Sequence, residues 1–363
     1  MAAISWAFLP PELLELIFGR LTFIDVCRCK TVCVSWRSPA KVAHLKLIPT
    51  FPPFLLILGA DDSPSEVLDF STQNRHPMCL RETRQRWSRV SSGGWLLSTG
   101  RWRRCSDVQL FNPFSKSIVL LPSPKNLLLW PDLDLDIERF AFSSSPADLN
   151  CVILVTFSYL FGQGCLAFCH PADDQWTRVY FPSKLPFSDV VFYKGQFYLV
   201  DAKGSVFIFK LQLGSSDPDL IQIADPPKFH FDDKYLVESS SGNFMLVLAA
   251  PAKREFEVFR LDLGNGEWER VTNLGDEALF LGHRSESVSV SRAGSTGPCK
   301  GNCIYYLGNV ETWSHYVDVL DFGSNNLSWF KFFDHPIFWI APEVKERAPV
   351  FGFDSSSAIN CTD

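Results

Sequence analysis

The chain has 363 residues, of which 46% are hydrophobic and 20% are charged, and its formal net charge is −6. This composition predicts a folded chain of two or three domains and excludes a largely disordered one. The negative net charge argues against a general nucleic-acid binder.

The cysteine usage and the apolar runs predict the compartment. Eleven cysteines, an odd number, are scattered without a paired framework, which favours a reducing environment. The first residues carry no cationic region, and Pro10, Pro11 and Glu12 interrupt any signal-peptide core. The longest apolar runs, such as Phe244 to Ala250, are too short to span a bilayer. We therefore expect no membrane partner and a location in the nucleus, the cytoplasm or both.

The first predicted elements are short helices between Leu9 and Arg37. Two neighbouring apolar rows at helical spacing predict the first helix: Leu13, Ile17 and Leu21, and Leu14 with Phe18. Pro10 suits the start of that helix, where a missing N–H costs nothing. Thr22 and Asp25 have the spacing of a capping box, which predicts a second helix through Val26.

A third apolar row contains Val32, Cys33 and Trp36, and Pro39 predicts the end of its helix. About forty residues with this many apolar groups cannot bury all of them alone. The module must therefore pack on a partner or on the rest of the chain.

The order of these residues resembles the F-box family. The matching positions are Leu9, Pro10, Glu12, Leu13, Leu14, Ile17, Arg20, Leu21, Asp25, Val26, Val32, Cys33, Trp36 and Arg37. The resemblance implies a three-helix module that docks on the small Skp adaptor of cullin–RING ubiquitin ligases. It implies adaptor contacts from Leu9, Pro10, Leu13, Leu14, Ile17, Leu21, Val26, Val32, Cys33 and Trp36. An ordinary helical cap on the following domain would explain the apolar rows, but not their ordered register.

The domain boundary is predicted near three prolines. A short helix over Lys41 to Ile48 is expected to continue the module, and Pro49, Pro52 and Pro53 end it. We therefore expect a helical module over residues 1–48, a substrate-recognition domain over residues 49–355 and a tail over residues 356–363.

From Phe54 onward, short β-rich runs alternate with turn residues and suggest a weak repeat. Six runs end in a turn-forming or polar residue about every 40 to 60 residues: Val67–Asp69, Gln109–Asn112, Ala167–His170, Phe207–Lys210, Phe259–Asp262 and Asp318–Asp321. Strands led by tryptophan are expected in the outer hairpins, at Trp87, Trp176, Trp268 and Trp329. We predict a mainly β chain with a propeller-like domain of about six blades, with a large β-sandwich as the alternative.

The strand-rich region resembles the C-terminal domain of a plant F-box group, the KIB-like proteins with a kelch-like β-propeller. The segments that carry the resemblance are Ser91–Leu96, Phe111–Phe114, Leu120–Pro122, Tyr235–Ser239, Asn273–Asp276, Leu279–Gly282, Lys300–Tyr305 and Pro336–Trp339. This resemblance implies that the propeller presents a protein substrate.

No catalytic, metal or cofactor site is predicted. Phosphate-loop, nucleophile-elbow and zinc-protease motifs are absent from the sequence. Cys27, Cys29 and Cys33 do not share one helix face, and we interpret Cys33 as a packed core residue. Carboxylates recur at the ends of the repeat strands, at Asp69, Asp262 and Asp321, where we expect them to form turns.

Arginines are concentrated between Arg81 and Arg104. The segment contains seven arginines and one acidic residue, Glu82, and its tryptophans are Trp87, Trp95 and Trp102. The segment is either an anion-binding partner surface or two strands whose arginines are solvated and whose tryptophans face the core. If it is a partner surface, we expect substrate contacts from Arg101, Arg103 and Arg104.

The expected function is a non-catalytic substrate receptor of a cullin–RING ubiquitin ligase. The F-box would bind the Skp-type adaptor, and the propeller would bind a protein substrate of unknown identity. The alternative is a propeller hydrolase or a ligand sensor with an accessory helical arm.

Overall fold

A computed structural model describes residues 6–47, 51–59, 64–70, 72–80, 82, 86–100, 107–127, 135–159, 164–181, 186–211, 218–228, 231–251, 253–292, 299–310, 314–324, 326–333 and 337–341. The chain forms two compact units, one with the helices and residues Phe114–Lys116 and the other with the strands. Within those ranges, no helix is both long and apolar enough to cross a membrane.

The helical unit contains a 3-10 turn at Trp6–Phe8 and the helices α1 (Pro11–Phe18), α2 (Phe23–Val32) and α3 (Val34–Leu47). The predicted cap of α2 is confirmed, because the Thr22 hydroxyl oxygen accepts the Asp25 N–H at 3.2 Å. This bond satisfies one of the N–H groups that lack a partner at the start of a helix.

The predicted helix end at Pro39 is wrong. Pro39 is buried within α3, which continues to Leu47. Because α3 begins at Val34, the proline lies in its second turn and costs it one backbone hydrogen bond.

The core of the helical unit is built from all three helices. Its buried members are Leu14, Phe18, Val26, Cys29, Ala40 and Ala43, with Leu9, Leu21 and Trp36 packed against them. The Phe18 and Trp36 rings lie 5.3 Å apart between centroids. The three helices therefore bury one another's side chains within the unit.

The second unit is a six-bladed β-propeller, as predicted, and the β-sandwich alternative is wrong. Blade 1 contains β25 (Ile337–Ile340), β1 (Phe54–Ile57), β2 (Ser65–Asp69) and β3 (Asn74–Met78), and blade 2 contains β4 (Arg86–Ser92), β5 (Trp95–Gly100), β6 (Val108–Phe111) and β7 (Ile118–Leu121). Blade 3 contains β8 (Leu135–Phe142), β9 (Ile153–Tyr159), β10 (Gly164–Cys169) and β11 (Thr177–Val179), and blade 4 contains β12 (Phe187–Tyr193), β13 (Gln196–Asp201), β14 (Val206–Lys210) and β15 (Asp219–Ala224). Blade 5 contains β16 (Asp233–Glu238), β17 (Phe244–Ala250), β18 (Glu255–Asp262) and β19 (Glu267–Val271). Blade 6 contains β21 (Val288–Ser291), β20 (Glu277–Gly282), β22 (Cys303–Val310), β23 (Ser314–Asp321) and β24 (Asn326–Phe333).

The ring closes through the last described strand. β25 pairs antiparallel with β1, from Phe54 opposite Ile340 to Ile57 opposite Ile337. The innermost strands contact one another in the order β25, β4, β8, β12 and β16, and the β20–β21 hairpin of blade 6 contacts both β16 and β25. Closure therefore joins the two ends of the propeller sequence within one blade.

The predicted repeat corresponds to one strand of each blade. All six runs that end in a turn-forming or polar residue fall on the strand next to the outermost one, and these strands are β2, β6, β10, β14, β18 and β23. Trp176 directly precedes an outermost strand, and Trp268 and Trp329 lie within outermost strands, as expected for outer hairpins. Trp87 lies in β4, the first strand of blade 2, so this assignment to an outer hairpin is wrong. An aromatic residue leading a short strand fits an inner strand equally well, because both pack on a neighbouring blade.

Candidate functional site

The helical unit carries large apolar side chains on its outside. They are Trp6, Phe8, Leu13, Leu16, Ile17, Val32 and Val34, and together we call them the apolar helical surface. Phe8 and Val34 are the most exposed of them, at 85% and 81%. Exposed apolar groups on an element whose own core is already packed are typical of a surface that binds a partner.

The ten residues predicted to bind an adaptor fall into three classes. Four are exposed, namely Pro10, Leu13, Ile17 and Val32. Four are half-buried, namely Leu9, Leu21, Cys33 and Trp36, and two lie in the helical core, namely Leu14 and Val26. The side chains of Leu14 and Val26 therefore face the other helices of the unit.

Helix α1 is apolar on two neighbouring faces. Leu14 and Phe18, four residues apart, are buried at 1% exposure each. Leu13, Leu16 and Ile17 follow the i, i+3, i+4 pattern of a second stripe and remain exposed. One face thus holds α1 in the helical unit, and the other is available to a partner.

The chain before α1 is fastened to the start of α3. The Trp36 indole N–H donates to the Trp6 carbonyl oxygen at 3.1 Å, and the Ser35 hydroxyl donates to the Ala7 carbonyl oxygen at 2.9 Å. These two bonds fix the 3-10 turn beside the α2–α3 junction, where Val32 and Val34 are exposed. Trp6, Phe8, Leu16 and Val34 are not among the residues predicted from the sequence, because none of them belongs to a matched position or to an assigned apolar row.

The prediction that Cys33 packs in the core is wrong. Cys33 is half-buried at the junction between α2 and α3, and its Sγ lies 3.1 Å from the Ser35 hydroxyl oxygen. This hydrogen bond lowers the pKa of the Cys33 thiol. Cys29 occupies the core instead, where burial raises the pKa of its thiol.

In the arginine-rich segment, Arg86 and Trp95 have structural contacts. The Arg86 guanidinium bonds the Asp107 carboxylate at 2.6 Å and the Ser98 hydroxyl oxygen at 3.2 Å. Trp95 is buried in the propeller core. Arg101, Arg103 and Arg104 lie outside the described residues, so their predicted substrate contacts stay a prediction.

The carboxylates that end the repeat strands, Asp69, Asp262 and Asp321, accept backbone N–H groups of the turns that follow, as predicted. Asp262 accepts the Gly264 N–H at 2.8 Å, and Asp321 accepts the Gly323 and Ser324 N–H groups at 3.0 and 3.2 Å. Asp69 accepts the Thr72 N–H at 3.4 Å. Among the residues that the structure describes, no group of three or more His, Cys, Asp and Glu side chains could hold a metal ion.

The centre of the propeller contains a polar network that the sequence analysis missed. Arg139 of β8 forms an ion pair with Asp189 of β12 at 3.2 Å, and its guanidinium lies 5.6 Å from the centre of the Tyr235 ring. Asp189 also accepts the Leu236 N–H at 2.8 Å. Burial raises the pKa of the Asp189 carboxyl, and Arg139 and the backbone N–H groups oppose that shift.

The network continues from blade 5 to blade 6. The Tyr306 hydroxyl donates to the Asp233 carboxylate at 3.1 Å and lies 3.4 Å from the Tyr235 hydroxyl. Burial strongly raises the pKa of both tyrosines, which keeps them neutral donors. These side chains are far apart in the sequence. The one feature of the sequence that could have predicted them is weak: charged residues occur within otherwise apolar inner strands.

Two family models match the chain. The KIB1-4 beta-propeller model matches residues 67–334, and the F-box-like model matches residues 6–45. The first range covers blades 2 to 6 and part of blade 1, and the second covers α1, α2 and most of α3.

Several curated proteins of Arabidopsis thaliana are similar over most of their length. The putative F-box protein At5g55150 is 28% identical over 90% of this chain and 90% of its own. The F-box/kelch-repeat protein At1g57790 is 29% identical over 77% of each chain, and the F-box protein KIB4 is 24% identical over 81% of this chain and 80% of its own.

Proposed function

Since the chain belongs to the KIB1-4 beta-propeller family and begins with an F-box-like domain, we propose that it is the substrate-receptor subunit of an SCF-type cullin–RING ubiquitin ligase. The F-box-like domain binds a Skp-type adaptor, and the propeller binds a protein substrate for ubiquitination and proteasomal degradation. In this role the chain catalyses no reaction. It raises the effective concentration of substrate lysines near the charged ubiquitin enzyme.

The apolar helical surface is the observation that carries this proposal. Leu13, Leu16 and Ile17 remain exposed although α1 is already anchored by its other face. An adaptor that covers this stripe would remove it from water, which stabilises the complex by about 25 cal/mol for each Å² of apolar surface buried. Leu14 and Val26 act through the fold of the unit, by holding the helices that present the surface.

The substrate is a protein bound by propeller loops, in the nucleus or the cytoplasm. Loops vary without altering the strands beneath them, so they set specificity on a constant scaffold. The proposed substrate feature is an acidic or phosphorylated segment that binds Arg101, Arg103 and Arg104. The guanidinium group of arginine forms bidentate hydrogen bonds with carboxylates and phosphates. Proximity labelling under proteasome inhibition, with and without the F-box-like domain, identifies candidates.

Co-purification tests the assembly. Full-length chain carrying an affinity tag is expressed with a Skp-type adaptor and a cullin, and we expect both to elute with it. Leu9→Ala combined with Pro10→Ala is expected to lose both partners while the propeller stays folded. A folded wild-type chain that retains neither protein would overturn the proposal.

A further inference from the structure

The turn that joins β20 to β21 crosses the centre of the propeller. We call residues Gly282–Glu286 the axial tip. In the ring order of the inner strands, blade 6 and blade 3 are separated by two blades on each side, so they stand opposite each other. A direct bond between them therefore spans the central channel.

Two such bonds are present. The Arg139 guanidinium of blade 3 donates to the Gly282 carbonyl oxygen at 3.3 Å. In the other direction, Arg284 forms ion pairs with the carboxylates of Asp136 and Glu138 on β8. Desolvation of Arg284 opposes its charge, but the two carboxylates outweigh it and raise the pKa of the guanidinium. The axial tip is thus fixed to the opposite blade by charged groups of both partners.

The axial tip is also bonded to blade 2. The Ser91 N–H of β4 donates to the Arg284 carbonyl oxygen at 3.2 Å, and the Glu286 N–H donates to the Ser91 hydroxyl oxygen at 3.1 Å. The Gly93 N–H, in the turn between β4 and β5, donates to the Glu286 carboxylate at 2.9 Å. One short segment therefore holds the end of β4 through both its backbone and a side chain.

The closing strand β25 is bonded to the same segment. The Trp339 N–H donates to the Ser285 hydroxyl oxygen at 2.6 Å, and the Ala341 N–H donates to the second carboxylate oxygen of Glu286 at 3.1 Å. The Ser91 hydroxyl donates to the Trp339 carbonyl oxygen at 2.7 Å. The Glu286 carboxylate thus bridges the β4–β5 turn and the residue that follows β25.

The position of these bonds matters because β25 is the strand that closes the ring. It is held to β1 by a ladder of four residue pairs, and β1 begins the propeller sequence. A short ladder that joins two ends of a chain is the place where a closed ring opens most easily, since few bonds must break there.

We propose that the axial tip is a latch that keeps the propeller ring closed by bonding β25 to blades 2 and 3. The latch follows from the extra hairpin of blade 6, whose strand β21 adds an inner edge to β20, β22, β23 and β24. A second consequence is that side chains of the protein itself occupy the channel at this level. The proposal is independent of adaptor binding.

Hydrogen–deuterium exchange of the full-length chain tests the latch. Glu286→Ala removes the carboxylate bridge, and Gly93 and Ala341 lose their acceptors directly. The informative amides are those of β1, Phe54–Ile57, because none of them bonds the axial tip. If the latch holds the ring closed, we expect the exchange of these amides to rise about tenfold, the factor that follows from losing one hydrogen bond to a charged group.

A matched control separates the latch from general loosening. Glu257→Ala removes a carboxylate that accepts two bonds from Arg270 across the outer strands of blade 5. It is expected to leave the exchange of β1 unchanged. Unchanged exchange of β1 in Glu286→Ala, or an equal rise in Glu257→Ala, would show that the axial tip is not a latch. If Glu286→Ala does not fold, Ser285→Ala gives the same decision, because it removes the hydroxyl that accepts the Trp339 N–H and lies 3.4 Å from the Ser91 hydroxyl oxygen.

Discussion

At the residue scale, Glu286 shows how a side chain can matter without being recognisable in the sequence. Its carboxylate accepts N–H groups from two segments that are far from it and from each other along the chain. The stretch His283–Glu286 has no motif that would predict those partners. Desolvation raises the pKa of Glu286 from its ordinary 4.5 to about 7, and the bonded N–H groups of Ala341 and Gly93 oppose that shift.

This raised pKa predicts a pH dependence of stability. Because the folded protein holds the proton more tightly, the contribution of Glu286 is fully present below pH 4.5 and is lost as the pH rises through about 7. The free energy of unfolding of the wild type, relative to Glu286→Gln, is therefore expected to fall by about 3 kcal/mol between pH 4.5 and 8, since each pKa unit is worth about 1.4 kcal/mol. Urea unfolding of both proteins across that range measures the difference.

The charged groups around Glu286 do not obscure this test. Arg284 and His283 lie on the same turn as Glu286. The pKa of His283 is lowered to about 4 by desolvation and by the nearby arginines. From β8, Asp136 and Glu138 are paired with Arg284. The β4–β5 turn and β25 present backbone N–H groups and Ser91. A stability difference that stays constant with pH would contradict the assignment.

At the element scale, α1 separates what sequence can predict from what it cannot. The spacing of Leu13, Leu14, Ile17 and Phe18 predicted a helix, and the structure contains it at Pro11–Phe18. Both rows have the same apolar character, so the sequence could not say which one is buried. That choice is made by α2 and α3, which supply Val26, Cys29, Ala40 and Ala43 around Leu14 and Phe18.

The two rows should respond differently to the same substitution. Leu14→Ala is expected to lower the stability of the chain by about 2–5 kcal/mol, because it leaves a cavity in the core. Leu16→Ala, at a side chain that is 67% exposed, is expected to change stability by less than about 0.5 kcal/mol and to weaken adaptor binding. Thermal unfolding and adaptor pull-down on both variants measure the contrast. Equal losses of stability would contradict the burial pattern.

At the scale of the whole molecule, the blade count was predictable and the closure was not. Turn residues recur once in each blade because the strand next to the outermost one ends in a tight turn, and Asp262 and Asp321 form such turns through local hydrogen bonds. The pairing of β1 with β25 joins the two ends of the propeller sequence, and the bonds of the axial tip to other blades join residues between 54 and 195 positions apart. No local pattern marks such contacts, since each partner looks like an ordinary strand residue on its own.

The adaptor-binding function depends on a surface that belongs to the helical unit alone. The propeller offers a matched control for the exposed stripe on α1. Leu120 of β7 is 70% exposed, close to the 67% of Leu16. Loss of either leucine removes similar apolar area from the surface. A comparison between them therefore tests position and not hydrophobicity.

The most direct measurement is a calorimetric titration of a purified Skp-type adaptor into the full-length chain. We expect saturable binding of one adaptor to one chain. We expect Leu13→Ala combined with Ile17→Ala to weaken it by about a thousandfold, since two apolar anchors at an interface centre, worth about 2 kcal/mol each, together contribute about 4 kcal/mol. Leu120→Ala should leave the affinity unchanged. A folded wild-type chain that gives no binding heat and no complex, or a double variant that binds as tightly as wild type, would contradict the account.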